Sequence, residues 1–595
     1  MTRPLLLQLF ACMAALGMAC AEAAEDRLAL VIGNASYKMA PLANPVNDAK
    51  EMAALLRKAG FEVVEGVDTS HEQLTRAIAE FGARIRDPKV KLGLFYFAGH
   101  GFQLDWRNYL VPVDAQIRGA QDVPQATVDV SELFRYMNEA KGRSFLIILD
   151  ACRDDPFAGS WRPPSRGLSQ FDAPTGSLLA YATAPGNVAL DGDNRNGLYT
   201  SHLLTELQVE GAKVEDVFKR VRLNVRLQSR GKQVPWETTS LEEDLYLFPG
   251  ARRKLTEAEQ EAALEQEMAS WARVKSGGIE ALAGFLRQHP SGYASELAQS
   301  RLNRLLASQT AVLARQEEEQ RVAREQAERT RREQEALAAQ AAREAAVRQA
   351  AEHETSAMAR ARAEQARVAA LREAEDKARR EAQARIEVRP TPPSPPAEYK
   401  VAALQAVAFP PTPFSSGYAE HLRQYRVGDR YSFRVVEKFM GGERPLTLKV
   451  TSVDVEGDRV EFNGGEYASD LMGNIVSNLR GTMSTPRQFY PAEIFVGKKW
   501  QTMFRQQRPG GVTYTFKYDV KVVGREKVTV PAGTFDAYKI EARGFNMTLG
   551  AYIERNIWVV PGIAADIAHE TLVRLRNNAI DQFDRQELVA IEAAR

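Results

Sequence analysis

Two side chains in this sequence have the types and setting for nucleophilic catalysis. Cys152 follows the apolar run in RSFLIILDACRDDPF and starts a polar loop. Inside a core strand a cysteine is a small hydrophobe. Just past the last apolar residue it stands where a buried strand emerges, and in an open α/β sheet that end faces the ligand crevice. A thiol nucleophile needs a base. Among the seven histidines, His71, His289, His353 and His421 sit in polar helical or loop contexts, and His569 belongs to a distant part of the chain. His100 instead ends the apolar run KLGLFYFAGHG at the same relative position as Cys152. Adjacent parallel strands ending this way would bring imidazole and sulfur together.

The elements needed to position that pair can be read from residues 26–250. RLALVIGN is a continuous apolar strand, NPVNDAKEMAALLRKAG an amphipathic helix, FEVVEGVD a strand and SHEQLTRAIAEFGARIRD a helix capped by Ser70. The His100 strand, the helix DVSELFRYMNEAKG, the Cys152 strand and SLLAYATAPG follow, then helices over 197–210 and 213–229 and a late strand near QVPWETTSL. This rhythm specifies an α/β fold, a mostly parallel sheet flanked by helices.

These residues resemble the caspase-like cysteine peptidases, in particular the bacterial, metacaspase-related branch. The His lies about fifty residues upstream of the Cys, as in caspases, and LLAYATAPG is similar to the Tyr-Ser-Thr-x-Pro-Gly stretch that follows their catalytic strand. The resemblance implies a His100–Cys152 dyad, an oxyanion hole from the backbone N–H groups of Gly101 and Cys152, and substrate pairing with the backbone around Tyr181 and Ala182. It also implies a departure in specificity. Where caspases carry an arginine for an acidic substrate residue, this chain has Asp191. Where they carry Gln before the nucleophile it has Asp150, and the basic residue ahead of Asp48 corresponds to Leu42. With Asp48, Asp150 and Asp191 lining it, the pocket would hold Arg or Lys by charge-assisted hydrogen bonds and repel Asp. Asp48 equally suits a helix-start carboxylate opposing the macrodipole. No cofactor is expected. Calcium dependence varies in the family, and Asp154, Asp155, Asp191 and Asp193 are acids that could serve it. Arg162 and Arg166, in a Pro/Gly/Ser-rich loop, are candidate self-processing sites.

Residues 1–23 read as a signal peptide: Arg3, an apolar run, and Ala21-Glu22-Ala23 as the cleavage motif. Export, with a periplasm as the expected destination, would leave Cys152 as the one thiol of the mature chain, since Cys12 and Cys20 lie in the leader. With 78 Lys and Arg against 77 Asp and Glu, the charge balance gives no reason to expect a nucleic-acid partner. Peptides or proteins are the expected substrates.

Beyond residue 250 the chain changes character. Residues 252–310 are helical and resemble one tetratricopeptide-type repeat around His-Pro-Ser-Gly. Residues 311–387, rich in Ala, Glu, Arg and Gln, predict a long charged helix or loose coiled coil capable of self-association. Residues 388–399 form a proline linker. Residues 400–595 alternate apolar and polar residues and predict an antiparallel β-rich domain that binds a partner of unknown identity. Two functional classes follow: an exported cysteine endopeptidase cleaving after Arg or Lys, or a catalytically weak or inactive caspase-fold scaffold acting as an envelope interaction protein.

Overall fold

The computed structural model describes residues 26–151, 157, 161–187, 189, 195–250, 255–369, 408–421, 423–439 and 441–594, with backbone only from 350 to 369. The expected leader, Cys152, the acids Asp154, Asp155, Asp191 and Asp193, and the proline linker lie outside the described residues.

The N-terminal domain is built on strands β1 (Arg27–Gly33), β2 (Glu62–Val67), β3 (Leu92–Ala98), β4 (Gly101–Leu104), β5 (Arg107–Leu110), β6 (Val128–Asp129), β7 (Ser144–Asp150), β8 (Ser177–Tyr181) and β9 (Trp236–Thr239). Its helices are α1 (Pro45–Lys58), α2 (His71–Arg84), α3 (Val130–Glu139), α4 (Leu198–Leu207) and α5 (Val214–Gln228). The main sheet runs β2-β1-β3-β7-β8-β9, parallel except for β9. Strands β3, β7 and β8 are apolar almost throughout because both faces are covered. Helix α1 packs on β1 and against α4, and α2 packs against α3. The expected Ser70 cap is present: its hydroxyl accepts from the Gln73 amide, and the Gln73 side chain accepts from the Ser70 amide. The small sheet β4-β5-β6 follows β3 directly, so the chain turns sharply at residues 99–101.

Helices α6 (Glu257–Val274), α7 (Ile279–Gln288) and α8 (Ser295–Ala369) follow. Residues 295–369 contain neither Gly nor Pro, so a single helix runs through the expected change of character at residue 310. The described residues up to Leu306 form one compact unit with those from 408 onward, and the helical stretch from Ala307 forms another. Within the latter, residues 309–349 are exposed and carry intrahelical pairs such as Arg321 with Glu318 and Glu325.

The β-rich region closes into a barrel of twelve strands among the described residues, from Arg430–Glu437 to Ile580–Glu592. The expected antiparallel pairing is present throughout. Closure follows from long strands that bend: Thr513–Val530 pairs with Gly533–Asn546 through a register shift between Val522 and Gly524. This module covers the free edge of the N-terminal sheet. Trp236 on β9 packs edge-on against Tyr418 at 4.0 Å and touches Phe409 and Phe495. A Cβ at Gly497 would stand 2.3 Å from the Thr239 carbonyl. Arg222 on α5 pairs with Glu237 at 3.4 Å and Glu493 at 2.9 Å. A covered edge strand cannot template pairing with another chain.

Candidate active site

The carboxyl ends of β3 and β7 are neighbours, with Ala98 paired in register with Asp150. Just beyond, the Gly99 amide donates to the Asp150 carbonyl at 3.2 Å. A Cβ at Gly101 would lie 3.0 Å from the Ala151 Cβ and 3.1 Å from its carbonyl oxygen. Glycine at 101 therefore permits the His100 segment to lie against the residue that precedes Cys152.

His100 is 1 % exposed and held from several sides. Its Nε2 donates to the Ala40 carbonyl at 2.7 Å. A carbonyl can only accept, so Nε2 carries the proton of the neutral ring. The Tyr37 ring stacks at a tilt, 4.3 Å between centroids. The His100 amide donates to the Tyr37 hydroxyl, which donates to the Val111 carbonyl at 3.0 Å. Gly99 fits this arrangement because a Cβ there would stand 2.6 Å from the Tyr37 oxygen.

The loop carrying Tyr37 and Ala40 is itself fixed. Asp68 accepts from the amides of Ala35 and Ser36, both at 2.8 Å, and from the Ser36 hydroxyl. Burial works against the Asp68 charge, but these hydrogen bonds outweigh it and hold the carboxyl below the usual carboxylate range. Buried Asn34 links the same loop to Thr69 and Val111.

Two of the three expected pocket acids come together at the first turn of α4. Asp48, fully buried near the start of α1, accepts from the Gly197 amide at 3.1 Å. Asp150, at the end of β7, accepts from the Thr200 hydroxyl at 2.9 Å. Tyr96 on β3 hydrogen-bonds Thr200 at 2.7 Å, and its hydroxyl is pushed well above the ordinary tyrosine range by burial and then by Asp48 and Asp150. One phenol thus senses both carboxylates. The starts of α1 and α4 supply positive dipole ends that stabilise these charges, so the helix-start role read for Asp48 is realised, at two helices rather than one. Asp191, the third acid, lies outside the described residues.

Tyr181 and Ala182 are buried inside the sheet rather than presented at an edge. Tyr181 pairs with Trp236 of β9. The Ala182 amide donates to the Leu149 carbonyl at 3.0 Å, and its carbonyl accepts from Gln233 Nε2 at 2.8 Å. These backbone hydrogen bonds of Tyr181 and Ala182 are made within the domain. Arg162 and Arg166 are exposed, and the Arg166 carbonyl is held by Gln103 Nε2 at 3.0 Å.

The residues that sequence reasoning missed are Tyr37, Ala40, Tyr96 and Thr200. Tyr37 and Ala40 lie in the loop at the carboxyl end of β1, where the crevice rule for α/β sheets directs attention. Ala40 acts through its carbonyl, which carries no side-chain signal.

The sequence matches the caspase domain, Peptidase_C14, over residues 26–246. Human mucosa-associated lymphoid tissue lymphoma translocation protein 1 is 33% identical over 131 residues, 22% of this chain and 15% of that protein. Caspase-1 of the rat is 23% identical over 256 residues, 38% of this chain and 60% of its own length. The chain therefore spans less than two thirds of either relative. The crystal structure of caspase-1 from Spodoptera frugiperda aligns with 18% identity and a TM-score of 0.30, covering 38% of this chain and 92% of that one.

Proposed function

Residues 26–246 form a domain of the caspase family, and on that premise we propose that the chain is an exported cysteine endopeptidase that cleaves after Arg or Lys. The observation that carries the reading is the β3–β7 register. Ala98 faces Asp150, and His100 and Cys152 each stand two residues beyond that matched pair in sequence.

The mechanism uses the chain's own groups. With Nε2–H given to Ala40, Nδ1 is the nitrogen that takes the Cys152 proton. The thiolate adds to the scissile carbonyl carbon, and the electron pair displaced onto oxygen is met by the backbone N–H groups of Gly101 and Cys152. As the C–N bond breaks, the imidazolium returns its proton to the leaving amine, leaving a thioester that water hydrolyses with His100 again as base. The Ala40 carbonyl and the Tyr37 ring hold the imidazole in one orientation, the function of a third catalytic group. Asp48, Asp150 and Asp191 would receive the guanidinium or ammonium of the residue before the cleaved bond. Arg162 and Arg166, on the exposed loop, are candidate self-processing sites for that chemistry.

Active-site labelling tests the assignment. A peptidyl acyloxymethyl ketone ending in Arg should alkylate Cys152, as read by peptide mass mapping, with labelling at least tenfold slower in His100→Ala. Labelling that His100→Ala leaves at the parent rate would show that the imidazole does not activate the thiol.

A further inference from the structure

A cavity far in sequence from the dyad lies where α6 and the start of α8 meet the barrel. Its volume is about 490 Å³, within the range of roughly 300–1,000 Å³ common for small-molecule sites. One part of its wall is apolar: Met268, Trp271, Leu297, Ile475, Val476 and Met483. Four cations reach it, Lys275, Arg301, Arg459 and Arg487, and Arg459 is paired with Glu461 at 2.9 Å.

The charges in this wall do not cancel among themselves. Asp458 is spent on Arg304 at 3.1 Å. Asp470 accepts from the Met472 and Asn474 amides and from the Asn474 side chain. Burial and then Asp458 push its carboxyl up to about 7, so it carries only part of a negative charge at neutral pH. Arg301 donates to the Glu456 carbonyl at 3.0 Å. Arg487 lies over Phe489 at 4.5 Å and pairs with no carboxylate among the described residues, and its Nε is buried without a hydrogen-bond partner. A half-buried guanidinium without a counter-charge is costly; burial and the nearby Arg555 bring its pKa down to about 10. Exposed Glu456 on the rim would repel a polyanion.

We propose that this cavity binds an apolar small molecule bearing one acidic group, with Arg487 and Arg301 holding the carboxylate and Trp271, Met268 and Met483 lining its chain. A medium-chain fatty acid has that chemistry. The site is independent of the peptidase reading.

The test is calorimetric titration of the full chain with decanoate, decanol and decylamine below their micellar concentrations. Decanoate should bind one to one and at least tenfold more tightly than decanol or decylamine. Arg487→Met should cost decanoate at least tenfold while leaving decanol unchanged. Absence of saturable decanoate binding, decanol within threefold of decanoate, or an unchanged decanoate affinity in Arg487→Met would each overturn the proposal. Should Arg487→Met not fold, a diazirine-bearing decanoate on the unmodified chain decides the matter. Crosslinks within 268–276 or 474–487 support the site, and crosslinks elsewhere refute it.

Discussion

Two polar clusters in this molecule look alike in composition and differ in what surrounds them. At the end of β3 and β7 stand His100, Tyr37, Asp150 and Tyr96. Inside the barrel stand His421, His569, Tyr490, Asp566 and Arg423. The barrel cluster is closed on itself. Asp566 accepts from Arg423 at 2.6 Å and from Tyr490 at 2.6 Å, with His569 Nδ1 3.6 Å away. Burial opposes the Asp566 charge, but Arg423 outweighs it and holds the carboxyl far below its ordinary range. Histidine 421, stacked on Tyr490, is pushed down to about 3, first by burial and then by Arg423. The β3–β7 cluster instead sits where strands end and the chain turns outward, beside the residue that precedes a thiol. Position on the fold, rather than the list of residue types, is what distinguishes the two clusters.

The sharpest way to separate them is to remove the key group of each. His100→Ala should lower kcat by roughly 10²–10⁴, the usual worth of a positioned acid–base group, with the melting temperature of the barrel unchanged. Asp566→Ala should do the reverse. Breaking a buried ion pair costs about 3–5 kcal/mol, read by chemical denaturation, while activity per folded molecule stays at the parent level. If Asp566→Ala abolished turnover in fully folded protein, the contrast would be wrong.

A smaller effect is expected where a charge is exchanged within the site. Asp150→Asn keeps an acceptor for the Thr200 hydroxyl but loses the negative charge. Loss of one charge-assisted hydrogen bond, about 1.5–3 kcal/mol, should reduce kcat/KM for Arg reporters roughly ten- to a hundredfold, and for neutral reporters much less.

The smallest effect is a pH dependence belonging to the barrel. The folded pKa of His421 lies below its unfolded value of 6.5, so between those values the unfolded chain binds more protons. Stability contributed by neutral His421 is therefore full above about 6.5 and lost as pH falls toward 3. In denaturation scans from pH 7 to pH 4, His421→Gln should lose less stability than the parent. An identical fall would mean that His421 is protonated in the folded barrel.

Most of the N-terminal fold was legible because its strands are uninterrupted apolar runs between amphipathic helices, and because Ser70 and Gln73 spell a capping box. Adjacency of the His100 and Cys152 strands followed from their matching strand-end positions. What the sequence concealed was tertiary. The orienting Ala40 carbonyl is a backbone group, and Tyr96 and Thr200 read as core residues until α4 is docked against β7. The buried partners of Ala182 come from Gln233, on a segment far along the chain. Barrel closure depends on bends such as that at Val522 and Gly524, which an alternating pattern does not announce. The covering of β9 rests on Trp236, Tyr418 and Phe495, three aromatics from two ends of the chain whose meeting no local pattern encodes.

The central claim is that a strand-end His–Cys pair beside carboxylates cleaves after basic residues. It is tested most directly by kcat/KM on matched fluorogenic peptides ending in Arg, Lys or Asp, for the unmodified chain and for Cys152→Ala, with and without calcium. The account predicts turnover of the Arg and Lys peptides, none of the Asp peptide, and none of any in Cys152→Ala. Preference for Asp, equal turnover by Cys152→Ala, or no turnover under either condition would contradict it.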